Sequence, residues 1–153
     1  MNNKHLLIFV GFAAVILIIL AGSNNFKISN VNTTSEPNNS LKINKIEVIH
    51  FHGTQQCYSC ITVGKYAEDT INTYFAEEVK SGKISFAHIN VELPENQETV
   101  KKYGVTSASL WIGVYDENGF HKEQNLNVWY KIDNKEDYMN YLKDLLEKKL
   151  QGA

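Results

Sequence analysis

Arginine is absent from this 153-residue chain: all 15 cations are lysines, set against 17 carboxylates for a formal net charge of −2. Nucleic-acid readers present a basic patch and use arginine forks on phosphate and guanine. Lysines scattered among carboxylates speak against that partner. Long apolar runs are just as scarce. Only Leu6–Gly22 (LLIFVGFAAVILIILAG), apolar at 15 of its 17 positions, approaches the ~17–25 residues that cross a bilayer. A polytopic membrane protein is excluded. The sequence also lacks a glycine-rich phosphate loop and a Ser-His-Asp arrangement, and it offers a flavin no evident place to bind. Its length beyond residue 43 supports one small core, not a multidomain enzyme.

What is present divides into three parts. Residues 1–22 read as an N-terminal membrane anchor or signal segment: Met1 to His5 supply a lysine and the terminal amine, and the apolar run follows. Ala21-Gly22-Ser23 then offers small residues of the kind a signal peptidase accepts. The run is long for a signal core and just long enough to span, so a retained anchor and a cleaved signal both stay open. Leu20-Ala21-Gly22-Ser23 has the layout of a lipoprotein signal with serine in place of the essential cysteine, which excludes a lipid anchor. On either reading the rest of the chain is expected outside the cytoplasm, membrane-anchored or secreted, where disulfides persist. Residues 23–43, rich in Asn, Ser and Thr with no apolar period, read as a flexible linker. Residues 44–153 read as the folded domain.

Within that domain the apolar period alternates between that of strands and that of helices. Lys45–His52 (KIEVIHFH) is a β-branched and aromatic strand. Tyr58 to Val79 carries a helical period at Ile61, Gly64, Ala67, Ile71, Tyr74, Phe75 and Val79, and Ser81-Gly82 ends it. Lys83 to Val91 is a second strand. Pro94 opens a short helix through Tyr103, closed by Gly104. Leu110 to Tyr115 and Phe120 to Trp129 are two further strands, joined across Asp116-Glu117-Asn118-Gly119, whose Asn-Gly is a hairpin signal. Asn134 caps a last helix with Tyr138, Tyr141, Leu142, Leu145 and Leu146 turned inward. The order β-α-β-α-β-β-α predicts a parallel pair from the β-α-β unit and an antiparallel pair from the hairpin. An α/β fold follows: a four-stranded mixed sheet with helices on both faces.

Cys57 and Cys60 are the only cysteines, spaced C-x-x-C between the first strand and the first long helix. The spacing alone also suits zinc, but zinc usually needs four ligands and a second pair. At a helix N-terminus the free N–H groups and the macrodipole favour a thiolate. Cys57 is thereby fitted to attack a partner disulfide and Cys60, one turn on, to resolve the mixed disulfide. The bland alternative is a structural disulfide. So small a loop removes little chain entropy, so a structural pair would stabilise little.

The strand, the C-x-x-C at a helix start and the later Asn90-Val91-Glu92 and Lys102-Tyr103-Gly104-Val105 resemble a thioredoxin-fold domain over about Asn44 to Leu150. Phe51 to Cys60 (FHGTQQCYSC), Thr73-Tyr74-Phe75, Lys80 to Lys83, Pro94-Glu95-Asn96 and Ser107 to Leu110 are similar to a small exported family. That family is catalogued as the nitrophenyl compound nitroreductase subunit, ArsF type. The resemblance implies a thioredoxin fold, a redox-active Cys57–Cys60 disulfide with no other cofactor, and a protein or small-molecule thiol or disulfide as partner. If the nitroreductase name has substance, the flavin belongs to another subunit.

Departures from ordinary thioredoxins matter as much. Gln56 stands where tryptophan is usual, Tyr58-Ser59 where Gly-Pro is usual, and Ser109 falls at the position of the cis-proline that faces the disulfide. A non-proline cis bond costs ~2.5–4 kcal/mol, so a trans bond is expected before Ser109. The buried acid is replaced by His50 and its lysine partner by His88. His50 and His52 share one strand face, and an imidazole under the pair suits proton transfer from Cys60 at neutral pH. Two other readings stay open: a metal site for zinc, copper(I) or an iron–sulfur cluster on Cys57, Cys60 and His52, and a non-catalytic subunit of a redox complex.

Overall fold

The computed structural model describes residues 41–152, all within the unit Asn39–Ala153. The anchor or signal expected at residues 1–22, and the linker as far as residue 40, lie outside the described residues. Among the described residues no helix is long and apolar enough to cross a membrane.

Strand β1 (Lys45–His52) is buried at five of its eight residues and half-buried at the other three, because it has a neighbour on each side and a helix layer on each face. The sheet order is β2-β1-β3-β4, with β2 at Ile84–Asn90, β3 at Ser109–Asp116 and β4 at Gly119–Asn125. β1 and β2 are parallel, Ile46 opposite Ile84 and His50 opposite His88. β1 and β3 are antiparallel, Phe51 opposite Ser109. β3 and β4 form the hairpin, Asp116 opposite Gly119. β4 lies at one edge, and His121, Lys122 and Glu123 on it are exposed.

The helices divide between the two faces. Ile46 and Val48 of β1 join Val63, Ala67 and Ile71 of α1 (Tyr58–Tyr74) and Leu142 of α4 (Lys135–Leu150) in the larger core. Tyr138 of α4 is buried there and donates from its hydroxyl to the Val63 carbonyl at 2.7 Å, tying α4 to α1. On the opposite face Ile49 and Phe51 pack with Tyr103, at the end of α3 (Gln97–Tyr103). The expected α/β architecture is the one observed.

Four local expectations are corrected. The first long helix stops at Tyr74: Phe75 leaves helical geometry at φ −127° to bury its ring, and α2 (Ala76–Lys80) restarts after it. The inward face of α1 is only partly the expected one: Gly64, Ala67 and Ile71 are buried as expected. Ile61 and Tyr74 of α1 and Val79 of α2 are exposed, whereas Thr62 and Thr70 are buried. Their hydroxyls bond back to the Tyr58 and Tyr66 carbonyls at 2.9 and 2.7 Å, which lets a polar residue sit inside. Pro94–Asn96 forms a 3-10 turn ahead of α3, and Gly104 closes α3 at φ +66°. β4 ends at Asn125, not at Trp129: the Asn125 side-chain oxygen accepts from the Asn127 N–H at 3.2 Å and turns the chain into a 3-10 segment (Asn127–Lys131).

Candidate functional site

Cys57 is the N-cap of α1, in extended geometry at φ −76° and ψ 164°, and its Sγ accepts the Cys60 backbone N–H at 3.2 Å. A sulfur there faces free helix N–H groups, and no carboxylate occupies the first turn of α1 to oppose a negative charge. Cys57 and Cys60 are joined as a disulfide, with their Cα atoms 5.1 Å apart. Exposure separates the two: Cys57 is exposed and Cys60 half-buried. Tyr58, 79% exposed, and Ile61, 52% exposed, stand beside them as apolar surface.

The loop carrying Cys57 is tied to the end of β2. The Val91 N–H donates to the His52 carbonyl at 2.8 Å, Asn90 donates to the Thr54 hydroxyl at 3.0 Å, and the Thr54 N–H donates to Glu92 at 3.2 Å. Ser109, the cis-proline position, opens β3 at the same end of the sheet and is buried. The described residues contain no cis peptide bond, so the bond before Ser109 is trans. Its hydroxyl donates to the Ser107 carbonyl at 3.0 Å and accepts from the Trp111 indole at 2.8 Å.

His50, on β1 beneath α1, is only 1% exposed. Space for its ring comes from Gly64: a Cβ at that position would lie 2.3 Å from His50 Nδ1. His50 Nδ1 sits 3.0 Å from Nδ1 of His88 on the neighbouring strand. Its Nε2 is buried and has no hydrogen-bond partner among the described residues. Burial, reinforced by His88 and His52, pushes the His50 imidazole down to a pKa of about 4, with the backbone of Cys60 acting in the opposite direction. His52 stacks on His50 with ring centres 5.4 Å apart, but its Nδ1 is paired with the Gly53 carbonyl at 2.9 Å. A depression of about 250 Å3 opens here, lined by His50, His52, His88 and, from α1, Ile61, Lys65 and Glu68.

Sequence reasoning therefore brings Cys57, Cys60, His50, His52 and His88 to one region. It missed Glu68, whose Oε2 lies 3.6 Å from His88 Nε2, and the role of Gly64, which counts in an apolar period without signalling a close approach. Among the described residues, no three His, Cys, Asp or Glu side chains are arranged to hold a metal ion.

A second polar cluster lies on the α3 face. Glu47 accepts from Tyr103 and Tyr115 hydroxyls at 2.9 Å each, from Lys102 at 3.1 Å and from Lys45 at 3.0 Å. Burial raises its carboxyl pKa, but these four donors outweigh it and hold the pKa at about 2.

The strand order, the parallel β1–β2 pair, the β3–β4 hairpin and the C-x-x-C at the start of α1 define a thioredoxin-like fold carrying a C-x-x-C disulfide. No protein-family profile matches the chain, and no curated protein does. Among solved structures it is similar to one titled "Crystal structure of Trx4 domain of ERdj5", at 15% identity and a TM-score of 0.49 over 74% of this chain and 87% of that one. It is also similar to one titled "Structure of a malarial protein", at 14% identity and a TM-score of 0.37 over 54% of this chain and 82% of that one.

Proposed function

We propose that this protein is a membrane-tethered, extracytoplasmic thiol–disulfide oxidoreductase related to the nitrophenyl compound nitroreductase subunit family. The observation that carries the reading is the unequal placement of the two sulfurs, Cys57 exposed at the cap of α1 and Cys60 one turn inside. The Cys57 thiolate attacks a partner disulfide, forming a mixed disulfide as the partner's first sulfur leaves and takes a proton. Cys60 then attacks Cys57 Sγ, the second partner sulfur leaves, and the Cys57–Cys60 disulfide forms. Two electrons pass to the partner, and the steps reverse for a partner dithiol. His50, buried below this turn, accepts the Cys60 proton.

Alkylation of the purified protein after equilibration in glutathione redox buffers tests the couple. The pair is expected to exchange with the buffer, Cys57→Ser to abolish reduction of a protein disulfide, and Cys60→Ser to trap mixed disulfides. Exchange activity unchanged in both variants would sink the proposal in favour of a non-catalytic subunit. Stoichiometric metal that blocks alkylation would sink it in favour of metal handling.

A further inference from the structure

The backbone of β2, at the end of the sheet order, is used on one side only. The Ile46 N–H donates to the Lys83 carbonyl at 2.8 Å where the β1–β2 ladder begins, and the Val91 N–H donates to the His52 carbonyl at 2.8 Å where it ends. With this register the odd-numbered residues of β2 turn their N–H and C=O groups to β1, and the even-numbered ones turn theirs away from the sheet. The Asn90 carbonyl is taken, accepting the Leu93 N–H at 3.4 Å and the Asn96 side-chain amide at 2.8 Å. Ile84, Phe86 and His88 are left with no backbone partner among the described residues.

We propose that β2 pairs with β2 of a second copy of this chain, antiparallel and centred on Phe86, so that two four-stranded sheets join into one. A two-fold axis at Phe86 sets Ile84 opposite His88 of the second copy and Phe86 opposite its own counterpart, and each facing pair exchanges two hydrogen bonds. Every free group of Ile84, Phe86 and His88 is then used. Sliding the copies by two residues spoils this in either direction: one slip carries His88 past the first residue of the other strand, and the other sets the Ile84 N–H against the Asn90 carbonyl that is already taken.

The side chains suit the same register. A depression of about 220 Å3 between β2 and α3 has Ser85, Phe86 and Ala87 in its lining, so this stretch of the strand is open to approach. Across the axis Phe86 meets Phe86, an aromatic cross-strand pair, and Ser85 meets Ala87, small against small. No like charges face each other. Within three residues of its ends β2 is flanked by Lys83 before and Glu92 after, and an antiparallel copy brings each to the end that carries the opposite charge. The strand thus complements itself in hydrogen bonding, size and charge, which makes a second copy the occupant. The loop of Cys57 is tied to the far end of β2 through Asn90 and Thr54, so the two disulfides lie at opposite ends of the joined sheet and both stay open. The pairing does not depend on exchange activity.

Two measurements on the full chain in detergent test the pairing. Amide exchange read by NMR is expected to find the Ile84, Phe86 and His88 N–H groups protected where the protein sediments as a dimer, and exchanging at least about tenfold faster once dilution has brought it to the monomer. Protection in the monomer would mean that the edge is covered within one copy, and fast exchange in a dimer that the copies meet elsewhere, as through the apolar run Leu6–Gly22. Either result would overturn the proposal, as would a protein that is monomeric at every concentration. In the second measurement Phe86→Lys and Phe86→Glu each set like charges directly opposite across the axis and are expected to sediment as monomers, whereas their equimolar mixture recovers the dimer. A dimer that survives both substitutions, or a mixture that stays monomeric, would overturn it. Should either variant not fold, the amides of the unsubstituted protein decide.

Discussion

A glycine in the middle of a helix costs roughly 0.5–1 kcal/mol relative to alanine, so Gly64 needs a compensating reason, and His50 supplies it. The imidazole occupies the space a Cβ would take, with Nδ1, Cε1 and Cγ all within 2.8 Å of it. Gly64→Ala should therefore destabilise despite its better helix propensity, by roughly 1–3 kcal/mol as an overpacked contact, and should displace His50 from His88. Urea unfolding and the histidine NMR signals would check this; an equally or more stable variant with the His50 signals unmoved would refute it. At this scale the sequence was legible where chemistry shows in composition. Two cysteines at C-x-x-C and two histidines on one strand face could be read directly. Glu68 could not, because an exposed helical glutamate looks the same whether or not a histidine from another strand lies 3.6 Å away.

At the scale of elements, strands were the easiest to read. β1 begins and ends where the run KIEVIHFH does, since β-branched and aromatic residues at alternate positions suit a strand covered on both faces. The helix ends were legible wherever a cap carries the signal. Asn134 accepts the Asp137 N–H at 3.2 Å at the start of α4, and Asn134→Ala is expected to cost about 1 kcal/mol in chemical unfolding. No measurable change would mean that packing of Tyr138 and Leu142 fixes the helix start without the cap. Where the reading failed, tertiary packing overrode period. Phe75 breaks the helix because its ring is worth more buried than one further turn, and Thr62 and Thr70 enter the core because their hydroxyls find carbonyls four residues back. Neither effect has a signature in apolar spacing.

For the whole molecule the two buried titratable clusters set how the fold responds to acid. His50 has its pKa lowered from 6.5 to about 4, so the unfolded chain binds the proton first and stability falls as pH drops from about 6.5 towards 4. Glu47 is lowered from 4.5 to about 2; its contribution is complete above 4.5 and is lost as pH falls towards 2. Each is worth on the order of 3 kcal/mol. Unfolding free energy against pH is expected to decline in two successive stages, with His50→Leu flattening the upper and Glu47→Gln the lower. A curve flat between pH 6.5 and 4 would contradict the buried neutral state of His50. The α/β layout itself was legible because β-α-β handedness and one hairpin leave few ways to assemble four strands; the Glu47 cluster was not, since its donors are spread from Lys45 to Tyr115. The sheet's two outer strands also differ in how they meet a stranger. Unpaired edges invite another chain, and charge deters it. β4 presents Lys122 and Glu123, whereas β2, ISFAHIN, presents no permanent charge. The molecule is thus guarded against sheet extension on one flank only, and the less guarded flank is the one that carries His88.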